Sequence, residues 1–219
     1  MLMSDSLQTI ILDASFLPVV VAGSVGLVRF RQLEAPVRYL AVLVFFELFI
    51  EVLSRILIAR HRSNLFLTPI DTLVEFGLLT LMYRRALHPL GISRWLGPAV
   101  GVFALASLLP FLQPTYLSRF NTGQRFVESL VIMALVLCFL YKILRELVIV
   151  RLEREPLFWA SAGLLLYFAG NVFIFVSSNY VLQYSQDLSM TMWDIHAILY
   201  MVLHGFYIAA LWANPQRKT

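Results

Sequence analysis

At 219 residues, 60% of them hydrophobic and only 14% charged, with a mean hydropathy of +0.79, the chain is excluded from the soluble globular class. Its net charge of +4 does not point to nucleic acid, because basic residues flanking apolar spans are what orientation in a bilayer requires. The class implied is a polytopic all-α membrane protein whose first partner is the lipid bilayer, with no nucleic acid among its partners.

Apolar runs of the length needed to cross a bilayer recur seven times. They predict a single seven-transmembrane-helix bundle with spans at about 8–28, 37–58, 66–83, 95–112, 125–147, 157–179 and 193–213. The leader MLMSDS has no basic n-region and no small-residue cleavage site follows it, so the first segment reads as a retained span. Pro18 predicts a kink in that span. Pro69 falls in the first turn of the third span, where a missing N–H costs little. The single cysteine, Cys138, excludes an intrachain disulfide and reads as a small buried hydrophobe. After the fifth span the stretch YKILRELVIVRLEREP reads as a charged helix running on beyond the membrane. Between Lys142 and Glu155 it offers a docking surface for a cytoplasmic signalling protein, or a solvated extension facing headgroups.

Twelve Arg and Lys residues fall on the side of the one–two, three–four and five–six connections and the C-terminal tail, against five on the other side. The N-terminus is therefore expected outside and the C-terminus in the cytoplasm of a bacterial inner membrane. Trp95, Trp159, Trp193 and Trp212 all fall at predicted span ends, as an interfacial belt requires. Spans one to three and five to seven repeat the same directions, with the fourth as the odd one out, a layout of parallel repeats.

The second span, LVFFELFIEVLSRILIARHR, carries Glu47, Glu51 and Arg55 at steps of four, which places them on one helix face. The third answers with Asp71 and Glu75, and the fifth opens with Glu128 in its first turn. Asp13, Glu51, Arg55, Asp71, Glu128, Asn171, Asp194 and His196 fall in the outer halves of their spans; Glu47, Glu75 and His204 fall nearer the middle. Ionisable groups at bilayer depth are expensive and face a bundle interior or a wet cavity. The pattern predicts an acidic pocket that opens outward.

Plainer readings stand beside this one. Glu51 and Arg55 could be a packing ion pair, but one guanidinium cannot neutralise Glu47 as well. Some of these acids must then be protonated, paired with a bound cation, or wet. His196 could donate to the neighbouring Asp194 carboxylate or serve as a ligand. His204 sits about 80° around the helix from it and reads as a satisfied interior polar group. Asn171 either glues helices or lines the pocket, and Tyr167 one turn below faces the same way. A divalent metal could be held by Glu51, Glu75, Glu128 and His196, since carboxylates with imidazole suit zinc, manganese or iron. No HExxH motif, His pair at four-residue spacing or cysteine cluster supports it.

A retinal protein is excluded, because Lys142 and Lys218 both lie at cytoplasmic ends. Intramembrane proteases are excluded by the lack of GxSG and GxGD motifs. The closing region carries an FW–G–Y–GN pattern at Phe158, Trp159, Gly163, Tyr167, Gly170 and Asn171, followed by Trp193, Ile195 and His196. Over roughly Trp159–Trp212 it resembles small uncharacterised bacterial seven-helix membrane proteins of the sensory-module kind. That resemblance implies sensing.

The function expected is that of a receptor-like sensory protein. Its pocket, walled by Glu47, Glu51, Asp71, Glu75 and Glu128, takes a small polar or cationic ligand or a metal. Arg55 serves as counter-ion, Asn171 and His196 orient the ligand or the network, and Tyr167 is counted among the ligand-binding residues. With no loop above about 13 residues there is no room for an output domain, so signalling needs a separate cytoplasmic partner. The alternatives are a small transporter or proton-coupled carrier, which needs polar residues continuing inward, and a metal-dependent membrane lipid hydrolase using a metal-bound water.

Overall fold

The computed structural model describes residues 10–11, 13–88, 90–108, 111, 122–146, 151–184 and 186–213. Among them are seven α-helices and no strand: α1 Phe16–Arg29, α2 Ala35–Ala59, α3 Leu67–Ala86, α4 Ser93–Leu108, α5 Thr122–Glu146, α6 Pro156–Tyr184 and α7 Gln186–Trp212. Arg119, Arg217, Lys218, the leader at 1–6 and the expected end of the fourth span at 109–110 and 112 lie outside the described residues.

Proline sets several helix starts. Pro18 stands in the first turn of α1, Pro36 opens α2, Pro69 stands in the first turn of α3, and Pro156 is the first residue of α6. Pro36, Pro69 and Pro156 occupy positions whose N–H has no intrahelical acceptor, whereas Pro18 follows helical residues at 13–14 and a turn at Ser15. The charged extension expected after the fifth span is corrected. Helix α5 is described to Glu146, and from Arg151 on the chain is not α-helical: Arg151 is extended, and a short 3₁₀ turn at Leu152–Arg154 leads into α6. Residues 147–150 between them lie outside the described set.

Helices α1, α2, α3, α5, α6 and α7 close a ring in that order, with α7 returning to α1, and α4 packs outside the ring on α3. Phe103 of α4 stacks on Phe76 of α3 with ring centroids 3.9 Å apart. The odd helix of the sequence pattern is thus also the odd one in space. Large apolar side chains stand exposed on every helix except α3, among them Leu27, Phe49, Val102, Leu137, Phe173 and Ile198. Helix α3 has none because its outer face is covered by α4.

By length and composition α5, α6 and α7 are apolar enough to cross a membrane. Helices α1 and α4 are described over 14 and 16 residues, with further helical residues at 10–11 and 13–14 ahead of α1 and with 12 and 109–110 outside the described set. Helices α2 and α3 dilute their apolar windows with Glu47, Glu51, Arg55, Asp71 and Glu75.

The ring interior has two halves. Leu40, Val44, Leu79, Met82, Ile132, Val136, Leu164, Leu203 and Leu211 fill one half, all buried to 3% exposure or less. The acidic groups occupy the other. At the apolar end, basic side chains cap helix C-termini, where carbonyls lack partners and the macrodipole favours positive charge. The Lys142 ammonium donates to Ala86 O at 2.9 Å and His88 O at 3.0 Å, closing α3. Arg29 donates to Leu211 O at 3.1 Å and to Trp212 O, closing α7.

Candidate functional site: an acidic cavity inside the ring

A cavity of about 510 Å³ lies in the acidic half of the ring, with Asn64 and Leu65 of the α2–α3 connection on its rim. Glu47 and Glu51 of α2, Asp71 and Glu75 of α3, Arg125 of α5, Tyr167 of α6, and Trp193, His196 and Tyr200 of α7 line it. Of the nine expected site residues, six are wall residues. The other three stand one contact behind: Arg55 holds Glu51, Glu128 holds Arg125, and Asn171 holds His196.

Arg125 is the centre of the wall, and the sequence pattern counted it only as a basic flank. Its Nη2 is 2.5 Å from Asp71 Oδ2, and its Nη1 is 2.5 Å from Glu75 Oε2 and 3.0 Å from Glu128 Oε2. The i,i+3 spacing of Arg125 and Glu128 was the available signal. Three carboxylates share one guanidinium, so two negative charges stay uncompensated when all three are ionised. Glu128 is fully buried, and its Oε1 has no hydrogen-bond partner among the described residues. Next along the chain, Gln124 Nε2 donates to Pro69 O at 3.2 Å and Ser107 Oγ at 2.7 Å. This ties α5 to α3 and α4, which fixes the position of Arg125.

The α2 acids part company. Glu51 Oε1 accepts from Arg55 Nε at 2.8 Å, and Arg55 Nη1 reaches Asp13 Oδ1 at 3.0 Å ahead of α1. Glu47 instead pairs across the ring, its Oε2 3.0 Å from His204 Nε2 on α7. Successive steps of four drift about 40° around a helix, so Glu47 and Arg55 face different neighbours. The expectation that His204 is a satisfied interior group is met, with Glu47 as its partner.

His196 Nδ1 lies 2.8 Å from Asn171 Oδ1, and Asn171 Nδ2 donates to Tyr167 O at 2.9 Å. The Tyr167 carbonyl can only accept, which orients the amide and makes His196 Nδ1 the donor. Asn171 thereby glues α6 to α7 and fixes the tautomer of a histidine on the cavity wall. On α7, Trp193, His196, Tyr200, His204 and Tyr207 form one stripe of successive ring contacts, with centroids 4.3–6.3 Å apart. Their 3-4-4-3 spacing was legible and was missed, because His196 and His204 were compared without Tyr200 between them. Trp193 is seven residues inside α7 and lines the cavity, so it does not mark a helix end.

The proposed metal set is not gathered. Glu51 is held by Arg55, Glu75 and Glu128 by Arg125, and His196 by Asn171. Among the described residues no group of three or more His, Cys, Asp or Glu side chains is placed to hold a metal ion.

Compared with protein-family models, with curated proteins and with solved structures, the chain matches none.

Proposed function

We propose that the chain is a receptor-like sensory protein of a bacterial inner membrane, spanning it with all seven helices, N-terminus outside and C-terminus in the cytoplasm. The cavity binds a small cationic or polar organic molecule, and the bound state reaches a separate cytoplasmic partner through the helices. The observation that carries this reading is the cavity itself: four carboxylates and one guanidinium on its walls, with Trp193, Tyr167 and Tyr200 as aromatic surface. Excess carboxylate attracts a cation, and aromatic faces add to its binding when water is excluded. The exposed apolar side chains on six helices support the spanning of a bilayer.

The walls belong to five helices, α2, α3, α5, α6 and α7, tied to one another across the ring, which supports transmission. A ligand that draws Glu47 or Asp71 toward itself competes with His204 or Arg125, and so acts on α2 against α7 or α3 against α5. At the far end the docking surface lies between Lys142 and Glu155. Lys142 itself is occupied at the α3 carbonyls, which leaves the exposed Arg145, Arg151, Glu153 and Arg154 for a partner.

The test is thermal unfolding in mild detergent with mono-, di- and quaternary amines and with divalent cations. Ligand at a hundredfold excess over Kd stabilises by about 2.7 kcal/mol, a clear upward shift in Tm. We expect that shift with at least one amine, and its loss in Glu51→Gln and Glu75→Gln. Equal shifts in wild type and both variants would sink the pocket reading. A shift only with divalent cations would return the weight to a metal. The carrier alternative gains from one observation: buried polar groups continue below the cavity.

A further inference from the structure

The geometry points to a proton pathway that begins at Glu47 on the cavity floor and continues through the apolar half of the ring. This rests on the membrane-spanning reading above and adds a transport step that ligand binding does not require.

Glu47 belongs to both compartments. It lines the cavity but is only 6% exposed, and its Oε2 is 3.0 Å from Nε2 of the fully buried His204. His204 Nδ1 lies 3.0 Å from Tyr200 O, which can only accept, so Nδ1 carries a hydrogen. A neutral ring in that tautomer presents a lone pair at Nε2. An ionised Glu47 would set a second lone pair against it at hydrogen-bond distance, in a buried setting where that repulsion is unscreened. One further proton therefore lies between the two atoms, on Oε2 or on Nε2. Shifting it from one to the other breaks one O–H bond and forms one N–H bond, with no other reactant. The pair is a loaded proton site within reach of the cavity.

Below it the polar groups continue. Tyr207 is one turn further along α7, its ring 5.4 Å from that of His204. Its hydroxyl is buried and has no hydrogen-bond partner among the described residues, and the same holds for Thr80 Oγ1 on α3. One turn beyond Thr80, Tyr83 OH and Ser161 Oγ are 2.8 Å apart, joining α3 to α6 across the interior. Buried hydroxyls without a partner among the described residues are the places where internal water is accommodated, and water between hydroxyls would pass protons. From Glu75 to Tyr83 helix α3 rises about 12 Å. Tyr83 stands within a turn of the end of α3 at Ala86. The line thus crosses the half of the bundle that holds the apolar core, where lines of acid, imidazole and hydroxyl mark proton relays.

The experiment uses the full chain in liposomes loaded with the pH dye pyranine, with a potassium diffusion potential, inside negative, set by valinomycin. Flotation on a density gradient first shows whether the protein is in the bilayer. We expect internal acidification faster than in protein-free liposomes. It should fall to the protein-free rate in Glu47→Gln and in Tyr207→Phe, and stay at the wild-type rate in Tyr141→Phe, whose ring is 64% exposed. Tyr207→Phe removes a hydroxyl with no hydrogen-bond partner among the described residues, so it breaks no hydrogen bond seen in the fold. Protein that floats but gives no flux above the protein-free rate overturns the pathway alone. Flux unchanged by both substitutions overturns this route. Protein that does not float overturns the pathway and the membrane reading together.

Discussion

Glu47 and His204 are 157 positions apart in the chain and 3.0 Å apart in the fold, and their bond joins α2 to α7 across the ring. It separates two environments. On one side lie the cavity and its carboxylates; on the other lie Leu40, Leu203 and Leu211 of the apolar core. A buried polar pair is rarely placed for stability, because desolvation takes back most of what the contact supplies. Its worth lies in specificity or in chemistry.

That asymmetry gives the first prediction. His204→Leu alone strands the Glu47 carboxyl and should cost about 3 kcal/mol, seen as a lowered Tm in mild detergent. Glu47→Leu with His204→Leu removes both polar groups and should recover most of that loss. A double variant as unstable as the two singles added together would refute the pairing.

The two arginines of the acidic half should behave differently. Arg125 is 13% exposed and holds three carboxylates, whereas Arg55 is 34% exposed and its partner Asp13 is 68% exposed. Arg55→Gln should change stability by about 0.5 kcal/mol, a shift that salt erases. Arg125→Gln leaves Asp71, Glu75 and Glu128 without their cation and should cost about 3 kcal/mol or more. Adding Glu75→Gln to Arg125→Gln should restore part of the Tm. Equal effects of the two arginines would mean that the Arg125 cluster is wetter than its burial implies.

Much of this was legible in the chain. Hydropathy alone placed seven helices close to where they form, and the spacing of Glu47, Glu51, Asp71 and Glu75 marked the cavity wall. Arg125 escaped because a cation at the start of an apolar run has two uses: it can mark orientation or serve the interior. Only the approach of α3 to α5 decides between them. His204 and Glu47 were each visible, but their pairing joins the second helix to the seventh, and no local period encodes that. The lower hydroxyls, Thr80, Tyr83, Ser161 and Tyr207, look like ordinary membrane-helix residues in sequence, and only burial sets them apart.

Two glycines of α6 make a sharper test of the packing with α7. A Cβ at Gly163 would stand 2.5 Å from Phe206 Cβ, an atom fixed to the backbone. A Cβ at Gly170 would meet Leu199 Cδ1 at 2.6 Å, the far end of a side chain that can turn away. Gly163→Ala should therefore cost about 2 kcal/mol, with Gly170→Ala well below it. Thermal unfolding of the two single variants checks the order, and the reverse order would contradict the close approach at Phe206.

The last prediction concerns which way the cavity faces. Cys138 is the chain's only cysteine, so Cys138→Ser gives a background into which single reporters can be placed. Ser63→Cys puts a thiol at the exposed α2–α3 connection, next to Asn64 and Leu65 on the cavity rim. Gly91→Cys puts one at the α3–α4 connection, where nothing lies within 4 Å of the new Cβ. If basic residues orient the bundle, a membrane-impermeant maleimide should label position 63 in intact cells and position 91 only after permeabilisation. The reverse result would turn the cavity mouth to the cytoplasm and make its ligand an intracellular one. Labelling of both positions in intact cells would show that α3, with its four charged residues Asp71, Glu75, Arg84 and Arg85, does not cross at all.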